Sequence, residues 1–199
     1  PPTTRLPHLD LLPPARRLWH HAQPSCALSA LEREVLGVQR EQDDVPSRII
    51  PFLYRDYLRT GDAREMKRVL YHNGVDILSL VTLAARLCRL FADPWRAQAE
   101  CAGSPLRGAE FYGLGCWYAA EGRLAEAERA YREALMVGLS PGLRAKALAA
   151  LGHLLKRVGR RGEAFGFWQQ LALESAEEVV AHVELAKYFE WHVGDFALA

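Results

Sequence analysis

Lysine is scarce in this chain. Only Lys67, Lys146, Lys156 and Lys187 stand among its 25 basic residues, so arginine carries the positive charge. Its planar fork suits bidentate pairing with carboxylate or phosphate. A charge excess of either sign is also missing, because the formal net charge is +1 over 199 residues. That excludes a protein that binds nucleic acid with its whole surface and leaves room only for a local patch. The four cysteines, Cys26, Cys88, Cys101 and Cys116, form no CxxC pair and no regular framework. Neither a zinc site nor a disulfide scaffold is expected, and a reducing cytoplasmic setting fits. The longest apolar run, Val75 to Leu87, is interrupted by Asp76 and Arg86 and is too short to cross a bilayer. Pro1 to Pro7 lack the charged-then-apolar order of a secretory signal. Gly-rich phosphate loops, a nucleophile elbow and a Cys–His signature are absent too.

Half of the residues are apolar, enough for one large core or two small ones. Charge divides unevenly: 13 basic and 10 acidic residues precede Phe91 (net +3), against 12 and 14 from it onward (net −2). The first half is therefore the better candidate for a nucleic-acid face. Within it, His8-Leu-Asp-Leu-Leu12 closed by Pro13-Pro14 reads as a buried strand ending in a turn, with a helix after it through Trp19. Ser29 with Glu32 three positions on predicts a capping box and an amphipathic helix that stops at Gly37. A loop is expected over Glu41 to Pro46. Helices follow from Pro46 to Thr60 and from Asp62 to about Tyr71, then a long one from near Asn73 or Gly74 that carries Ile77, Leu80, Val81, Ala84 and Leu87.

From Phe91 to Gly108 the periodicity dissolves into Asp-Pro and Gly-Ser-Pro, as in a linker. Beyond it the chain repeats. Leu114-Gly115, Tyr118, Gly122, Ala127, Tyr131 and Ala134 match the small and aromatic positions of a tetratricopeptide-type repeat. Gly122 recurs as Gly159 and Gly194, and Gly115 recurs as Gly152. A second unit keeps Leu151, Leu155, Ala164 and Trp168, and a third shows Phe196 and Ala199 after its turn. The expected layout is a first domain over 1–90, a linker over 91–108 and about two and a half helical repeats over 109–199.

The polar residues nearest an apolar helix lie in Tyr71-His-Asn-Gly-Val-Asp76. His72 and Asp76 are four apart and share a helix face, where an imidazole and a carboxylate could hold a metal and move a water proton. An aspartate near a helix start is otherwise a cap or a partner of the helix dipole. The three segments 8–12, 28–37 and 71–80 occur in the order seen in the YprB-type ribonuclease H-like family, which resembles the DEDD 3′–5′ exonucleases. That resemblance covers about residues 8 to 90. It implies an α/β fold of which this chain keeps the C-terminal part, with about one strand, ahead of the α-helical repeats. It implies that Asp76 is the last of four acidic ligands to two Mg²⁺ or Mn²⁺ ions, that His72 handles the attacking water, and that Asn73 fixes the turn beside substrate. The family's Asp-x-Glu motif is not in the sequence and is expected upstream, so the chain alone is expected to be catalytically incomplete. Nucleic acid would be the partner of the first part, and a protein or peptide that of the repeats. The competing reading is a non-catalytic tetratricopeptide-type interaction scaffold, an all-helical chain with Asp76 at a solvated helix start.

Overall fold

In the computed structural model of the protein, which describes residues 8–40, 45–100 and 106–194, every regular element is helical and no described residue lies in a strand. The α/β reading, with a retained ribonuclease H-like strand, is therefore corrected. Residues 8 to 11 have no regular structure, and Leu9 is 69% exposed. With no neighbouring strand to accept its backbone hydrogen bonds, an extended segment gains nothing by pairing. Pro13-Pro14 does not end an element here but opens one. Both prolines stand in the first turn of α1 (Leu12–Trp19), where backbone N–H groups have no intrahelical partner to lose. Asp10 holds the entry by accepting the Leu12 N–H on Oδ1 at 2.9 Å.

The chain separates into two compact units. One comprises residues 1–15 and 25–104, the other 16–24 and 105–199.

In the first unit, α2 (Leu28–Leu31) runs into a π-helical turn (Glu32–Leu36). The expected capping box does not form, because the helix starts at Leu28 with Ala27 at the cap and Ser29 already inside it. A 3₁₀ turn (Ser47–Ile49) leads into α3 (Ile50–Thr60). Next comes α4 (Arg64–Ala92), one unbroken helix of 29 residues where two had been expected. Gly74 is tolerated inside it at a cost of about 1 kcal/mol relative to alanine. Then α5 (Pro94–Glu100) forms within the stretch that read as linker.

Helix α4 organises this unit, packing against α2, the π-helical turn, α3 and α5. Val69, Ser79, Leu83, Leu87 and Leu90 are its buried residues, and with His72 and Asp76 they form steps of three and four along one stripe. The apolar part of the stripe is the C-terminal half. Other faces of α3 and α4 leave large apolar side chains open, among them Phe52, Leu58, Leu70, Ile77 and Val81.

The second unit pairs α6 (Gly108–Ala120) with α7 (Leu124–Val137) and α8 (Pro141–Arg157) with α9 (Arg161–Glu174). Against α9 lies α10 (Val179–Tyr188), which passes into a π-helical turn (Phe189–Val193). The two hairpins interlock in the same way 37 residues apart. A Cβ on Gly115 would lie 2.5 Å from the ring of Tyr131, and one on Gly152 would overlap the indole of Trp168. Each glycine thus lets an aromatic residue sixteen positions later lie flat against the helix backbone. Gly122 and Gly159 make the two tight turns with φ of 76° and 84°, a region costly for other residues. Gly194 has φ 72°, and Phe196 and Ala199 of the expected third unit lie outside the described residues.

The start of this stack is covered by its own segment 16–24. Leu18 and Trp19 are fully buried, and the Trp19 indole N–H donates to Glu110 Oε1 at 2.7 Å. Glu110 stands in the first turn of α6, and its Oε2 accepts the Arg107 backbone N–H at 2.7 Å. A carboxylate only 3% exposed is thereby satisfied on both oxygens, one of them by a free helix-start donor.

Candidate functional site

Helix α4 carries the three residues that the sequence singled out. His72 and Asp76 do share a face, with His72 Nε2 3.3 Å from Asp76 Oδ2. They do not stand at a helix head: α4 begins at Arg64, so Asp76 lies three turns inside, where capping and dipole roles do not apply. Asn73 is exposed, one residue round the helix from that face.

What gathers around His72 and Asp76 is an arginine. Arg40 donates from one terminal nitrogen to Asp76 Oδ1 at 2.6 Å and to Glu32 Oε1 at 2.9 Å, and from Nε to Glu32 Oε2 at 2.9 Å. Its other terminal nitrogen lies 2.9 Å from His72 Nδ1. A guanidinium can only donate, so His72 Nδ1 accepts and the ring proton sits on Nε2, facing Asp76. Glu32 is 2% exposed and the Arg40 side chain 14%. Two carboxylates and a neutral imidazole therefore converge on one cation, which satisfies the polar section of the α4 stripe.

Sequence reasoning missed Glu32 and Arg40. Glu32 had been assigned to a capping box, yet it lies beside Leu31 and three before Val35, both buried. A carboxylate among core positions requires a buried partner, and that was the available signal. Arg40 adjoined an expected loop and carried none.

This geometry does not suit a two-metal centre. The space beside Asp76 Oδ1 is taken by a guanidinium, and among the described residues no group of three or more His, Cys, Asp or Glu side chains is arranged to hold a metal ion. Paired-metal phosphoryl chemistry needs several hard oxygen ligands free to face the ions. The exonuclease reading, with its hydrolase and metal-binding character, is overturned by this finding together with the all-helical architecture of the described residues.

Comparison with known proteins defines a distant relationship. Residues 1–88 match the RNase_H superfamily. Over 194 residues the chain is 29% identical to the uncharacterized protein YprB of Bacillus subtilis (strain 168), an alignment covering 96% of this chain and 45% of that relative. The relationship stands at superfamily level. The chain spans less than half the length of the curated relative it matches. No solved structure matches it. None of the described helices is long and apolar enough to cross a membrane.

Proposed function

We propose that this chain is a non-catalytic helical scaffold whose repeat unit presents a surface to a protein partner. The observation that carries the reading is the duplicated hairpin, Gly115 against Tyr131 and Gly152 against Trp168, which stacks helices and leaves their outer faces free. Two further features support it. Asp76 and His72 are held by Arg40 as parts of the first unit's packing rather than turned toward a substrate. The open apolar side chains of α3 and α4 also exceed the scattered single residues usual on a surface, as a partner-binding protein would show.

The test combines capture and hydrolysis. A photo-crosslinking residue is placed at exposed positions of the repeat unit in cells, and crosslinked partners are identified for the native chain and for Asp76→Ala. The same partner should appear in both. In parallel, the purified chain is incubated with labelled DNA and RNA oligonucleotides and Mg²⁺ or Mn²⁺. Cleavage that Asp76→Ala abolishes would refute the scaffold reading.

A further inference from the structure

Among the described residues, Arg86 is the one charged side chain that holds a buried nitrogen without a hydrogen-bond partner. It stands half-buried in the C-terminal half of α4, with Nε enclosed by protein, and no ion pair among the described residues includes it. An exposed arginine without a carboxylate is satisfied by water on every donor. Arg86 has given up water at Nε and gained no partner there, and a cation partly stripped of water attracts an anion more strongly than a solvated one does. Arg89, in the last turn of α4, would by itself need no ligand, since a helix C-terminus favours a cation. Arg86 lies before that turn.

A cavity of about 400 Å³ lies against both arginines, lined by residues of the first unit. Steps of three and four put Thr82, Arg86 and Arg89 on one face of α4 along it. Thr82 already donates its hydroxyl hydrogen to the Leu78 carbonyl at 2.8 Å, so the two guanidiniums are the donors that the described lining side chains offer. No aspartate or glutamate is among those lining residues. The rest of the wall is apolar, with Leu36 from the π-helical turn, Val81 and Leu90 from α4, and Ala97 from α5.

We propose that this cavity binds a small amphipathic anion, a carboxylate or phosphate head on one short aliphatic chain or ring. The head pairs with the guanidiniums of Arg86 and Arg89, and the apolar body lies against Leu36, Leu90 and Ala97. Charge selects the head, because two permanently charged donors face the cavity and no acid among the described lining residues neutralises them. Size selects the body: ligand cavities run from about 300 to 1,000 Å³, and one near the lower end takes a single chain or ring rather than a polymer. Packing around Nε holds the Arg86 fork in place before the ligand arrives, so little ordering is needed on binding. The site belongs to the first unit and does not depend on a partner of the repeat unit.

Isothermal titration calorimetry of octanoate and of octyl phosphate into the full chain tests this, with octanamide as the uncharged control. Arg86→Met keeps the apolar stem of the side chain and removes the guanidinium, whereas Arg59→Gln removes an exposed charge on α3 that already pairs with Asp56. At least one of the two anions should bind saturably and about tenfold or more tightly than octanamide. Arg86→Met should weaken that binding about tenfold or more, while Arg59→Gln changes it less than about twofold. The tighter of the two anions identifies the head group. Without ligand, Arg86→Met should melt no lower than the native chain by circular dichroism, because it loses an unpaired donor rather than a structural ion pair. If that variant does not fold, the native chain decides by nuclear magnetic resonance: the Arg86 Nε–H signal should shift with the bound anion and not with octanamide. Octanamide binding as tightly as the anions, anion binding unchanged in Arg86→Met, an Arg86 signal that ignores the anion, or no saturable binding of either anion overturns the proposal. A lower melting temperature with unchanged binding marks Arg86 as a structural residue and overturns it equally. None of these outcomes bears on the scaffold reading, which stands or falls on crosslinking to the repeat unit.

Discussion

Removing Arg40 tests the account of the first unit most directly, because one side chain serves Glu32, His72 and Asp76 together. Arg40→Met keeps the length of the side chain and removes its charge. It leaves Glu32, which is 2% exposed, as a carboxylate without its cation, and Asp76 loses its shortest contact. Breaking a buried pair on one side costs about 3–5 kcal/mol. The Arg40 side chain retains 14% exposure and Asp76 31%, so solvent reaches part of the network and the lower end, about 3 kcal/mol, applies. Replacing both members of the buried pair, Arg40→Met with Glu32→Leu, removes the stranded charge and should recover most of that loss, since an apolar pair of similar volume often matches an ion pair. Hydrogen exchange of α4 amides under native conditions reads this locally, apart from the melting of the repeat unit. The single variant should lower α4 protection by about a hundredfold, the arithmetic equivalent of about 3 kcal/mol, and the double variant should restore at least half of the lost free energy. No loss in either would show that Arg40 does not organise the α4 interface, and equal loss in both would show that a stranded Glu32 charge is not the cause.

Two further outcomes follow from the repeat unit. Gly152→Ala forces the Trp168 indole from a site where it is 2% exposed and should destabilise by about 1–2 kcal/mol despite the better helix propensity of alanine, whereas Gly166→Ala, with open space around it, should stabilise by about 0.5–1 kcal/mol; urea melts followed by tryptophan fluorescence separate them. Burial pushes the Glu184 carboxyl up, but Lys156 and Lys187 outweigh it and hold it below the usual carboxylate range. A depressed folded-state value means that Glu184 contributes stability above its unfolded pKa and loses it as pH falls through the folded one. Native protein should therefore lose stability more steeply below about pH 4.5 than Glu184→Gln does, and parallel acid limbs would count against this pairing.

Much of the repeat unit was legible in the sequence, because its determinants are local and recur. Gly115 and Gly152 each precede an aromatic residue by sixteen positions, and Gly122 and Gly159 mark turns that only a residue free to adopt positive φ makes cheaply. The pairing of His72 with Asp76 was legible for the same reason, since a spacing of four on a helix fixes a shared face. Local rules also set the helical character of α4, although Asn73-Gly74 falsely marked a boundary within it.

Tertiary structure alone decided what those residues contact. Whether Asp76 faces an open site or a cation depends on Arg40, 36 positions away, and no periodicity links two residues that meet only through folding. The segment at 8–12 illustrates the same dependence: a strand exists only where another strand completes its hydrogen bonds, and none among the described residues does so. Pro13-Pro14 permits a turn or a helix start equally well, and Asp10 together with the packing of α1 selects the helix start. Sequence determined which segments become helices through interactions a few residues long; the gathering of Glu32, Arg40, His72 and Asp76 into one polar cluster required the long-range contacts that only the folded chain supplies.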